Sequence, residues 1–132
     1  MGLSYTVAID VWSLGCILTE MHTGEPLLPG QDTQDQMAQI VQLLGMPPSS
    51  MIAQGRKKSR ELLFTETGVG ADGVPTFALK KGASLKMDPT HLRTVLGVET
   101  DGPRGRRKGE PGHTRQDYDL FLDLVSRMLC FE

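Results

Sequence analysis

A mainly α fold is predicted for this chain by three observations. Residues 8–24, AIDVWSLGCILTEMHTG, form an apolar run of helical length with one aspartate near its start and one glutamate near its end. Met37, Ile40, Val41 and Leu44 recur at i, i+3, i+4 and i+7, and Tyr118, Phe121, Leu122, Val125 and Leu129 make a second such stripe. The long stretch between the stripes is rich in glycine, charge and breakers, with no sustained period.

The first element is expected to be a central, buried helix. Ile9, Val11, Trp12, Leu14, Cys16, Ile17, Leu18 and Met21 cover nearly every direction around a 3.6-residue period, leaving no face for water. The run is too short to cross a bilayer, and Asp10, Glu20 and His22 bracket it. Gly24 followed by Glu25-Pro26 supplies the stop. Asp10 has two readings at this level: a carboxylate that caps its own helix amides, or one with a further role.

The second helix is expected over 32–45, where Asp32 or Thr33 can cap and Gly45 with Pro47-Pro48 ends it. Residues 46–113 form a long loop-rich insert, with docking and disorder both open. Within it GRKKSRELLF and THLRTVLGV suit helical turns, and GVPTFALKK suits an extended or hairpin element. A third helix over 114–131 starts on a capping signal, Thr114 with Asp117 three residues on, and Leu124 and Met128 join its stripe.

The 132 residues carry a net charge of -2, which offers no electrostatic case for nucleic acid or a membrane. Cys16 and Cys130 both sit in apolar helical patterns, where buried reduced thiols are the expectation, so a reducing compartment, cytosol or nucleus, follows. Met1-Gly2 with Thr6 matches a myristoylation pattern only formally, and no secretory signal pattern follows it. His22 and His113 show no metal-ligand spacing with the cysteines, and structural or solvent-exposed roles are expected for them. The cluster Arg104, Arg106, Arg107 and Lys108 reads as a solvated face or a set of intramolecular ion pairs ahead of a phosphate grip.

Gly68, Gly70 and Gly73 spell G-x-G-x-x-G, but Val74-Pro75 follows where a dinucleotide turn must open a helix. A kinase phosphate loop would be followed by a V-A-I-K strand, and none is present. A flexible turn is the expectation, and a free-standing nucleotide enzyme ranks last.

Asp10, Trp12, Ser13 and Gly15 give D-x-W-S-x-G, followed by Cys16, Ile17, Glu20 and Met21. With these residues the chain resembles the eukaryotic protein kinases, whose long C-lobe helix carries this pattern. The blocks YTVAIDVWSLGCILTEMHTGEPLLPGQDTQDQMAQIVQLLGMPP and LGVETDGPRGRRKGEPGHT are similar to the dual-specificity tyrosine-regulated kinases (DYRK) of the CMGC group. The segment between them agrees only in length and in scattered positions such as Lys80 and Lys81.

The resemblance implies a partial kinase C-lobe spanning 1–132, with the central helix at 8–24, and makes 46–113 the CMGC-type insert. It implies that Asp10 accepts hydrogen bonds from the catalytic loop, that Trp12 packs under the activation segment, and that Ile17 and Met21 form the base of a hydrophobic column. These are support positions, and no catalytic, cofactor-binding or metal residue is expected. The H-R-D, D-F-G and A-P-E motifs that phosphoryl transfer requires do not occur in this sequence. Two functions follow. In the first the chain is a piece of a Ser/Thr/Tyr protein kinase, inactive alone, with ATP and magnesium belonging to the intact family member and proteins as its substrates. In the second it is a non-catalytic module presenting the insert and the second helix to protein partners. Deprived of its partners, the apolar helix is expected to expose hydrophobic surface.

Overall fold

The computed structural model describes residues 1–3, 6–80 and 91–131, so Lys81 lies outside the described residues. The fold is mainly helical, with helices α1 (Ala8–Thr23), α2 (Thr33–Leu44), α3 (Ser49–Gln54), α4 (Lys57–Leu63), α5 (His91–Leu96) and α6 (Arg115–Met128). Strands β1 (Phe64–Val69) and β2 (Pro75–Leu79) make the one sheet among the described residues. The described residues split into two compact units, one from 1–3 and 29–80 with Phe131, the other from 6–28 and 91–130.

In the first unit the Asp32 carboxylate accepts a hydrogen bond from the Asp35 amide, 2.7 Å away, so the aspartate and not Thr33 caps α2. The buried face of α2 is Ala38, Val41 and Leu43, with Met37, Ile40 and Leu44 half-buried. GRKKSREL is helical in its middle, as α4, but the chain turns extended at Phe64 and pairs with the segment predicted to be a hairpin arm. Phe64 faces Leu79 and Thr65 faces Ala78 in an antiparallel register that is interrupted by a bulge between Glu66 and Gly68. The G-x-G-x-x-G glycines lie in this hairpin: Gly70 bonds to Val74 and Gly73 to Gly70 through the backbone, closing a turn in place of a phosphate loop. Ile52, Leu63 and Phe64 form the core, with Met1, Met37, Met46, Phe77 and Leu79 packed against it.

The second unit packs α1 on α6, with α5 and the tight turns Val98–Thr100 and Pro103–Gly105 completing it. Its α6 carries a full capping box: the Asp117 amide donates to the Thr114 hydroxyl and the Asp117 carboxylate accepts from the Thr114 amide. Leu92, Leu96, Val98, Tyr118, Val125 and Leu129 are buried there, together with Thr19. Arg93 links the turn to α6, donating to Glu99 and to Asp119 at 2.8 Å each, while Arg115 holds the same Glu99 at 3.0 Å.

Burial of α1 is one-sided: the expectation of a helix enclosed all round is corrected, and the expectation that it exposes hydrophobic surface in this chain is met. Only Gly15 and Thr19 are fully buried on it, and Val7, Ile9, Val11, Leu14, Ile17 and Met21 are exposed. Composition alone reports that all its directions are apolar; it cannot report which of them the rest of the fold reaches. The thiols also differ from expectation. Cys16 is half-buried, with its thiol pKa pushed up by burial, whereas Cys130 is exposed and donates to the Arg127 carbonyl. Both are free.

Candidate functional site: the outer stripe of the first helix

At about 100° per residue, positions 10, 14, 17 and 21 fall on one face of α1. That face carries Asp10, Leu14, Ile17 and Met21, and all four are exposed, Ile17 at 51% and Met21 at 78%. Trp12 sits on the opposite, covered side and is half-buried. Three of the four residues singled out from sequence are therefore brought together on one surface, and Trp12 is separated from them.

The covered side exists because of two small residues. A Cβ built on Gly15 would stand 3.0 Å from Met128 Cβ and 3.1 Å from Leu129 Cδ2, so the absent side chain is what lets α6 approach. One turn on, Thr19 satisfies its buried hydroxyl within the helix by donating to the Gly15 carbonyl at 3.0 Å. At the helix end Gly24 adopts the left-handed conformation (φ 79°) and its amide closes on Glu20.

Asp10 is not a cap. The N-cap position is Val7, Thr6 supplies the only side-chain oxygen bonded to a first-turn amide among the described residues (Ala8 N, 3.3 Å), and the Asp10 carboxylate has no hydrogen-bond partner among them. It stands in the first turn, where the helix dipole favours a negative charge. The Asp10 acceptor therefore stands beside a row of exposed aliphatic side chains, Leu14, Ile17 and Met21. A shallow depression lined by Ile17, Glu20, Met21 and Gly24 continues the row past the helix end.

The histidines belong to a second cluster that sequence spacing did not reveal. His22 Nε2 lies 3.0 Å from the Leu96 carbonyl, and His113 Nδ1 lies 2.7 Å from the Tyr118 hydroxyl. The His22 ring also meets Tyr118 and Phe121, with centroids 5.3 and 5.1 Å apart. Residues this remote in sequence carry no spacing signal; only the packing of α1 on α6 joins them. Of the basic cluster, Arg104 pairs with Glu25 and Arg107 with Glu110, as the ion-pair reading expects. Among the described residues no three His, Cys, Asp or Glu side chains are placed to hold a metal ion. No described helix is long and apolar enough to cross a membrane.

The helix carrying D-x-W-S-x-G, packed on α6 on one side and bearing Asp10 in an apolar row on the other, is the element on which the resemblance to protein kinases rests. No family model matches the chain. Among curated proteins it is 34% identical over 140 aligned positions to Dual specificity tyrosine-phosphorylation-regulated kinase 3 of Mus musculus, the alignment covering 100% of this chain and 21% of that protein. The same kinase of Macaca fascicularis is 34% identical with 22% of its length covered, and that of Rattus norvegicus 32% with 21% covered. The chain spans about a fifth of the length of these curated relatives. Over its whole length the chain is similar to a part of the dual-specificity tyrosine-regulated kinases.

Proposed function

We propose that residues 1–132 are the part of a dual-specificity kinase domain that holds the catalytic apparatus in place, and that this chain by itself transfers no phosphate. What supports the reading is the state of Asp10, whose carboxylate lacks a hydrogen-bond partner among the described residues and shares an exposed stripe with Leu14, Ile17 and Met21. Asp10 would accept amide hydrogens of the catalytic loop, Trp12 would pack under the activation segment, and Ile17 with Met21 would found the hydrophobic column. ATP, magnesium and Ser, Thr or Tyr side chains of proteins are the cosubstrate, metal and substrates of the complete enzyme. They would be handled by groups that these 132 residues do not supply. The experiment is a phosphotransfer assay of the purified chain with Mg-ATP and a generic protein substrate, run beside a thermal melt. No transfer and an unchanged melting temperature are expected; magnesium-dependent ATP stabilisation at micromolar concentration would overturn the reading.

A second reading, a non-catalytic module that engages protein partners through the insert and α2, is favoured by one observation. The unit containing α2, α3, α4 and the hairpin has a core of its own in Ile52, Leu63 and Phe64. A cytosolic or nuclear location suits either reading.

A further inference from the structure

Beside the end of α1, the turn at Pro103–Gly105 and the start of α6 enclose a cavity of about 260 Å³, lined by His22, Arg106, Arg107, His113 and Tyr118. Its apolar margin is Met21 and Pro103. The support role proposed for α1 makes no use of these polar groups. We propose that this cavity binds a tetrahedral phosphate group, either free phosphate or a monoester borne on a side chain.

The first argument is the supply of hydrogen-bond donors. His113 Nδ1 and the Tyr118 oxygen share one hydrogen at 2.7 Å. If the phenol donates, the neutral imidazole carries its remaining hydrogen on Nε2. If the imidazole donates, the phenolic hydrogen is released. One donor is therefore left over whichever way the bond runs. Burial raises the Tyr118 pKa, so the phenol keeps its proton at neutral pH. His22 is fixed with Nε2 donating to the Leu96 carbonyl, because a carbonyl can only accept, and this holds the ring at the wall of the cavity.

Charge is the second argument. Arg107 is held by Glu110 at 3.0 Å, and Arg104 by Glu25. Arg106 forms no ion pair with any described residue, so its planar fork is available for bidentate contact with phosphate oxygens. The carboxylates around Tyr118 are Asp101, Glu110 and Asp117. Glu110 is matched by Arg107, and Asp117 is occupied by the Thr114 amide and hydroxyl. Asp101 alone of the three makes no hydrogen bond or ion pair among the described residues, and it opposes an incoming anion. Size is the third argument: the volume suits a phosphate and a short stem, and falls below the range of about 300–1,000 Å³ usual for larger ligands.

The test follows the imidazole C–H resonances of the full chain at pH 7 during titration with inorganic phosphate, and separately with O-phosphoserine. His91 opens α5 and does not line the cavity, so it serves as the internal reference. His22 and His113 are expected to shift saturably while His91 stays still. Arg106→Ala should weaken binding at least about fivefold, the effect of losing a charge-assisted contact. Asp101→Asn should tighten it about twofold or more, and asparagine tolerates the left-handed backbone at this position (φ 52°). A lower saturating concentration for O-phosphoserine assigns the site to a modified side chain, and the reverse order assigns it to the free ion. Equal movement of all three histidines, matched by sodium chloride at the same ionic strength, would overturn the proposal. So would wild-type affinity in Arg106→Ala.

Discussion

Helices α1 and α6 pack on each other, yet they are built on opposite plans. α6 is amphipathic: Tyr118, Val125 and Leu129 turn inward, polar residues turn outward together with Leu120 and Leu124, and a capping box fixes its first turn. α1 is apolar on every side, uncapped by its own acid, and covered on one side only. The difference teaches that an apolar composition and burial are separate matters. Both helices leave aliphatic side chains exposed, but on α1 they include a continuous row, Leu14, Ile17 and Met21, opposite the side packed on α6.

The largest expected effect lies where the two helices meet. Leu129, 1% exposed, should cost about 2–5 kcal/mol when changed to alanine, read as a shift of the urea midpoint. Ile17→Ala, on the outer stripe of α1, should stay within about 0.5 kcal/mol. Comparable losses from both variants would break the contrast and place the outer stripe in a core. Gly15→Leu comes next. Its side chain must displace Met128 or Leu129, and about 1–3 kcal/mol of stability should be lost by the same measurement.

The cap of α6 gives a smaller effect with a pH signature. Thr114→Ala should cost about 0.5–2 kcal/mol near neutral pH. The Thr114 hydroxyl first, and then its amide, hold the Asp117 carboxyl below the usual aspartate range. Because the folded pKa is the lower one, this contribution is complete above the unfolded aspartate value of about 3.9 and is lost as pH falls through the folded value. The wild-type and Thr114→Ala midpoints should therefore lie closer at pH 3 than at pH 6. A gap that is constant with pH would show that the carboxylate takes no part in the cap.

The same contrast explains what was legible in the sequence. Thr114 and Asp117 announced the start of α6, and the stripe through Tyr118, Val125 and Leu129 named residues it buries. Leu124, counted with that stripe, is 47% exposed, since it stands about 100° round the helix from the buried Val125. Three of the insert's elements were readable, the helices α4 and α5 from GRKKSRELLF and THLRTVLGV and the strand β2 from GVPTFALKK. The strand Phe64–Val69 was not, since Glu66 and Gly68 remove the alternation and only Phe64 is buried along it. The stripe of Asp10, Ile17 and Met21 was legible through family resemblance, while the exposure of Leu14 beside them needed the coordinates. The grouping of His22, His113 and Tyr118 had no signal at all, being a product of tertiary packing.

The central claim is that the stripe of Asp10, Leu14, Ile17 and Met21 is an uncovered supporting surface. It is tested most directly by binding of the apolar dye ANS to the purified chain, measured beside a variant with serine at positions 14, 17 and 21. The account predicts strong dye fluorescence for the parent chain, most of it lost in the triple variant, with little change in urea midpoint. A parent chain that unfolds cooperatively without binding the dye would contradict it.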